Sequence, residues 1–156
     1  MSIFNDLGVR DGKDRSGEAV LYNLAACYIH SERRIATFLA PHGLSPVKMN
    51  ALLIIRHVGG SKGLAQNEIG KRMIVTAGNV TRLLDRLEKE NWTERVPQSD
   101  DRRVKLVRAT AKAGKLLDRV WPDYKRIVNE LMHPLTHSEI TATSQNLEKL
   151  RKNLEK

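Results

Sequence analysis

Between Leu64 and Thr110 the apolar periodicity of this chain changes from helical to alternating, an order of parts that few small folds accommodate. The segment reads LAQNEIGKRMIVTAGNVTRLLDRLEKENWTERVPQSDDRRVKLVRAT. Leu64, Ile69 and Met73 define the inner side of a two-turn helix over Ala65 to Met73. After a break at Ile74 and Val75, Thr76 is a good N-cap, because its hydroxyl accepts a bond from an orphan amide of the first turn. The helix it opens runs from Ala77 to about Asn91. Val80, Leu83, Leu84 and Leu87 stand there at i, i+3, i+4 and i+7, an apolar stripe about 100° wide. Trp92 to Val96 and Val104 to Ala109 are then rich in β-branched and aromatic residues and flank the polar turn PQSDDRR, which predicts a hairpin.

Opposite that stripe the second helix presents Gly78, Thr81, Arg82, Asp85 and Arg86, with Asn79 at its margin. A helix entering the DNA major groove needs a small N-terminal end and side chains that reach base edges or phosphates. Arg82 and Arg86 suit guanine or phosphate, while Asn79 and Thr81 suit base-edge or phosphate hydrogen bonds. At the hairpin tip, Arg102 and Arg103 can enter the minor groove, with Asp101 orienting a guanidinium by a bidentate pair. Arg95 and Lys105 on the strands add candidate phosphate contacts. Two short helices followed by such a hairpin make a winged helix-turn-helix, with Thr76, Gly78, Asn79, Thr81, Arg82, Arg86, Arg95, Asp101, Arg102 and Arg103 as its expected DNA-contacting set. The plainer alternatives are a solvated amphipathic helix and a surface ion-pair loop. Charge favours the first interpretation: residues 71–126 hold 15 of the 27 basic residues but only 8 of the 18 acidic ones, so most of the formal +9 sits in and just after this segment.

The flanks read as helices. Residues 1–15 show no periodicity and predict a frayed or loosely docked arm. From Glu18 to Leu39 apolar residues follow helical spacing until Pro41 and Gly43. Ser45 and Pro46 start a further helix, in which Ala51, Leu52, Ile54, Ile55 and Val58 face inward until Gly59 and Gly60 stop it. Thr110 caps a long helix whose Leu117, Val120, Tyr124, Ile127 and Leu131 alternate three and four residues apart, a coiled-coil-like seam in which Pro122 predicts a kink. Thr136 and Glu139 form a capping box before a last helix with the same alternation at Ile140, Thr143, Leu147, Leu150 and Leu154. Two such seams on 156 residues call for a partner surface, which a two-fold homodimer supplies. The alternative is that the stripes satisfy each other within one chain.

Several classes are disfavoured. The length suits one domain. No run of about 18 apolar residues and no secretory leader is evident, so a cytoplasmic protein without a membrane partner is expected. A single cysteine, Cys27, excludes an internal disulfide; a small apolar filler and a redox-sensing thiol are its two candidate roles. His133 and His137 are split by Pro134, which breaks the register that a shared metal face would need. With no phosphate loop, nucleophile elbow or metal set, neither an enzyme nor a bound cofactor is expected.

From Leu44 to Gly114 the chain resembles the MarR family of bacterial transcriptional regulators. LSPVKMNALLII matches the helix after the first loop, LAQNEIGKRMIVTAGNVTRLLDRLEKENWTER the reading head, and DDRRVKLVRATAKAG the wing and its exit. Ala109-Thr110 stands where members commonly carry Leu-Thr. The resemblance implies a mainly α fold with a small β-hairpin wing, a single domain over 1–156, a DNA-binding lobe over 45–110 and dimerisation helices over 18–41 and 111–156. It implies a homodimer on a pseudo-palindromic double-stranded operator, usually a repressor, released by a small, often aromatic effector bound between the two regions. A redox-sensing regulator acting through Cys27 and a winged helix used for sequence-independent DNA binding or protein contact are the alternatives.

Overall fold

A computed structural model describes residues 2–9, 12, 14–73, 78–98 and 105–155. It is mainly helical with one small antiparallel sheet. The chain divides into two compact units, residues 1–119 and residues 120–156.

The first unit opens with a short helix, α1 (Ile3–Asp6), followed by the long α2 (Ser16–Leu39). Of the two expectations for the N-terminal arm, docking fits its described residues. Phe4 is buried, meets the Tyr22 ring edge-on at 6.1 Å and carries the Arg15 guanidinium 4.4 Å above its own ring. Burying that ring offsets part of the entropy of ordering the segment, a contact that periodicity cannot reveal in so short a stretch. Along α2, by contrast, Val20, Leu21, Tyr22, Leu24, Tyr28 and Ile29 remain exposed, and Cys27 among them is exposed as well rather than a core filler. Helical spacing correctly located the element but not which of its apolar residues this chain covers by itself.

A 3₁₀ turn at Ala40–His42 leads to α3 (Pro46–Ile54), whose Ser45 cap accepts from the Lys48 amide at 3.3 Å. The helix then widens into a π turn over Ile55–Gly59. That turn keeps Ile55 fully buried and rotates Val58 off the inner face, where it is 51% exposed. Leu64–Ala65 forms β1, a strand that the sequence pattern places partly inside the next helix. Ala65 pairs with Leu106, so α4 begins one residue later and spans Gln66–Arg72. Gly63 makes this approach possible: its φ is +89°, and a Cβ there would lie 3.1 Å from both Leu106 Cβ and the Val107 carbonyl oxygen.

Helix α5 (Gly78–Lys89) follows, then the hairpin strands β2 (Thr93–Pro97) and β3 (Lys105–Ala109). The sheet order is β1-β3-β2, with Thr93 opposite Ala109 and Pro97 opposite Lys105. Thr110 caps α6 (Ala111–Met132), accepting from the Ala113 amide at 3.2 Å. Leu39, Leu52, Ile55, Ile69, Leu84 and Leu87 are at most 1% exposed and anchor the core of this unit.

The second unit holds the remainder of α6 and α7 (His137–Leu154). α6 is helical through Pro122 without an interruption. Trp121 and Tyr124 stack at 5.5 Å, and the capping box forms as expected, Thr136 and Glu139 bonding each other's backbone amides. The Thr136 hydroxyl also donates to the Glu139 carboxylate at 2.7 Å, and that bond, followed by the one from the Thr136 amide, holds the carboxyl below the usual range. No residue of α7 is fully buried, and Leu147 and Leu154 are exposed. No single helix among the described residues is long and apolar enough to cross a membrane.

Candidate nucleic-acid interface

α4 and α5 form the helix pair that the sequence pattern anticipated. Ile69 of α4 and Val80, Leu84 and Leu87 of α5 are buried, so the stripe sets which side of α5 faces the core. Gly70 faces Val80, and a Cβ there would lie 3.6 Å from it, an ordinary contact. A polar link joins the outer edges: Gln66 Nε2 donates to Thr81 Oγ1 at 2.8 Å. Glu68 on α4 is clamped by Lys71 and Arg72 at 2.8 and 2.6 Å, and those bonds, Lys71 first, hold its carboxyl below the usual range.

With that stripe buried, Asn79, Thr81, Arg82 and Arg86 are exposed, as the helical geometry requires. Arg82 and Arg86 have no ion-pair partner among the described residues. Their guanidinium groups are available to an external anion with no internal bond to break. Gly78 opens the described helix, whereas Thr76, Asp101, Arg102 and Arg103 lie outside the described residues. Lys105 is exposed at the start of β3.

Arg95 differs from the simple expectation of a phosphate contact. From β2 its guanidinium reaches across to α5, pairing with Asp85 at 2.5 Å and also with Glu88. These partners, the hydrogen bond that Asp85 accepts first, raise its pKa, and the group is committed internally. The opposite face of the sheet carries a second pair, Arg108 with Glu94 at 3.0 Å, since Glu94 and Arg95 are successive in β2.

The far end of α5 holds a cluster that motif reading did not single out. Lys48 Nζ bonds both carboxylate oxygens of Glu90 at 2.8 and 2.7 Å, and the Trp92 indole N–H donates to Glu90 at 3.1 Å. Lys112 Nζ donates to the Glu90 carbonyl at 3.0 Å and stands 4.2 Å over the Trp92 ring. Beside it lies a groove of about 580 Å³ lined by Trp92, Ala111, Lys112, Lys115, Leu116 and Arg119. Its sequence signal was the spacing of Lys112, Lys115 and Arg119 along one side of α6, which in isolation is indistinguishable from an ordinary solvated face. Among the described residues no group of three or more His, Cys, Asp or Glu side chains is placed to hold a metal ion.

Comparison with known proteins agrees with this geometry. The MarR family model matches residues 44–105. The transcriptional regulator MhqR of Bacillus subtilis is 27% identical over 109 residues, covering 70% of this chain and 73% of MhqR. Among solved structures, a mutant of MarR from E. coli complexed with operator DNA superimposes with a TM-score of 0.77 at 24% identity, covering 89% of this chain and 99% of that one. CouR from Rhodococcus jostii bound to p-coumaroyl-CoA gives 0.73 at 18% identity, covering 84% and 90%. MhqR is by name a transcriptional regulator, as the family model's match also indicates.

Proposed function

We propose, since the chain belongs to the MarR family of winged helix-turn-helix transcriptional regulators, that it represses transcription by binding a pseudo-palindromic DNA operator as a homodimer, and that a small anionic effector releases it. The observation that carries the DNA half is the outward face of α5, with Arg82 and Arg86 exposed and without an ion-pair partner among the described residues, opposite a buried stripe. Residues 45–110 then form the reading lobe. Arg82 and Arg86 address base edges or phosphates from the major groove, Asn79 and Thr81 add hydrogen bonds, and Thr76 and Gly78 complete the expected DNA-contacting set of this segment. Arg102 and Arg103, with Asp101, serve the wing. The helices over 18–41 and 111–156 hold two such lobes at a fixed spacing, supported by the apolar residues that α2 and α7 leave exposed. Selection from a randomised duplex pool tests this function: enrichment of a two-fold-related pair of half-sites is expected, and a pool that stays random contradicts it.

The wing assignment has its own test. Arg103→Ala is expected to weaken operator binding about tenfold or more while far-ultraviolet circular dichroism stays unchanged, because only a contact to DNA is lost. Unchanged affinity rejects the assignment.

The effector half is supported by the groove beside Trp92. An indole face with Lys115 and Arg119, which have no ion-pair partner among the described residues, suits a flat apolar body carrying a carboxylate. Aromatic carboxylates are therefore expected to raise the melting temperature of the protein, and Arg119→Ala to reduce that rise. An equal rise in both proteins places the ligand elsewhere.

A further inference from the structure

We propose that Arg95 is a positioning residue for DNA reading, which keeps the two carboxylates of the reading helix occupied so that Arg82 and Arg86 stay available to DNA. This rests on the DNA-binding function of α5 and assigns Arg95 a role other than phosphate contact. Asp85 stands three residues after Arg82, next to Arg86 and four before Lys89. Residues three and four apart are neighbours on a helix surface, so the natural partners of Asp85 are cations of α5 itself. In the structure it takes none of them. Asp85 pairs instead with Arg95 of β2 at 2.5 Å, and the same guanidinium engages Glu88 one turn further on.

The arrangement has two consequences. Two negative charges that would repel approaching phosphates are compensated from behind by a cation on a different element. Arg82, meanwhile, has no ion-pair partner among the described residues, which preserves its reach and its full charge for the groove. Stability does not explain the device well: the side chains of Arg95, Asp85 and Glu88 are 35%, 47% and 36% exposed, and ion pairs that wet add little to a fold. A guanidinium suits the task because its planar fork serves two carboxylates together.

A mutant cycle on matched and scrambled duplexes decides the point. Arg95→Ala is expected to weaken binding about tenfold or more, because Asp85 is then free to capture Arg82 and both carboxylates repel phosphate. Adding D85N and E88Q to that variant is expected to restore affinity to within about threefold of wild type, with the wild-type salt slope. The same two substitutions in the wild-type background are expected to change binding at least about tenfold less, so the cycle is strongly non-additive. If Arg95 instead touches phosphate, the changes add, rescue fails, and the salt slope falls by about one in every variant lacking it. That outcome overturns the proposal. Arg95→Gln, which keeps the length of the side chain, supports the same cycle should circular dichroism show the alanine variant unfolded. A wild-type protein that binds no duplex refutes the DNA function itself, a result distinct from failed rescue.

Discussion

Replacing Leu21 and Ile29 of α2 by Glu is expected to convert the protein to a monomer and to reduce operator affinity by about 10³-fold or more. Leu21 and Ile29 are 56% and 55% exposed in the single chain, so the substitutions remove no core packing of the described fold. In a two-fold dimer each position occurs twice. Removing the burial of an aliphatic side chain costs about 1.5–3 kcal/mol, and placing a carboxylate in an apolar interface adds a further penalty. Two substitutions in both subunits therefore remove on the order of 6–12 kcal/mol of association free energy, enough to dissociate an interface of ordinary strength at micromolar concentration. A lone subunit addresses only one half-site and loses the second lobe's contribution. Sedimentation velocity reads the mass, and a duplex titration reads the affinity. A variant that stays dimeric shows that this face of α2 lies outside the interface.

The second large effect belongs to Arg82. A bidentate arginine–guanine contact is worth about 1–3 kcal/mol of discrimination, and a dimer makes it twice, so Arg82→Ala is expected to lose about 10²-fold to 10⁴-fold on the matched operator. Binding to scrambled duplex changes far less, because phosphate contacts elsewhere persist. The ratio of matched to scrambled affinity therefore falls. A uniform loss across both duplexes makes Arg82 a phosphate contact instead. The circular dichroism spectrum should not move, since Arg82 is exposed and makes no ion pair among the described residues.

The reading helix was the most legible part of this chain because a long periodic stripe carries the information of many residues at once. Val80, Leu84 and Leu87 are buried where the 3.6-residue period puts them, and the exposed positions of Arg82 and Arg86 follow from the same period. Caps were equally local: Ser45, Thr110 and Thr136 bond the amides that their positions imply. What escaped the pattern depends on contacts distant in sequence or too short to show a period. β1 has two residues and exists because Ala65 and Leu64 meet Leu106 and Val107 some forty residues on. The π turn rotates Val58 outward for reasons of packing, not composition. Phe4 docks on a helix that begins a dozen residues later.

The site divides along the same line. Which residues α5 exposes could be read from the chain, but the commitment of Arg95 to Asp85 and Glu88 could not, because ion pairs ten and seven residues apart link a strand to a helix and no periodicity reports them. The groove beside Trp92 likewise arises only when the end of α5, the start of β2 and the first turns of α6 converge. Sequence thus placed the exposed face of α5 and left its supports to the fold.

The central claim is that two copies of the α5 face read DNA specifically. A salt titration of wild-type binding to the selected duplex and to a scrambled one of equal length tests it most directly. The account predicts a matched-to-scrambled ratio of about 10³ or more, one dimer per duplex, and a steep fall of both affinities with salt. A ratio near one at every salt concentration, with affinity tracking charge alone, would contradict it.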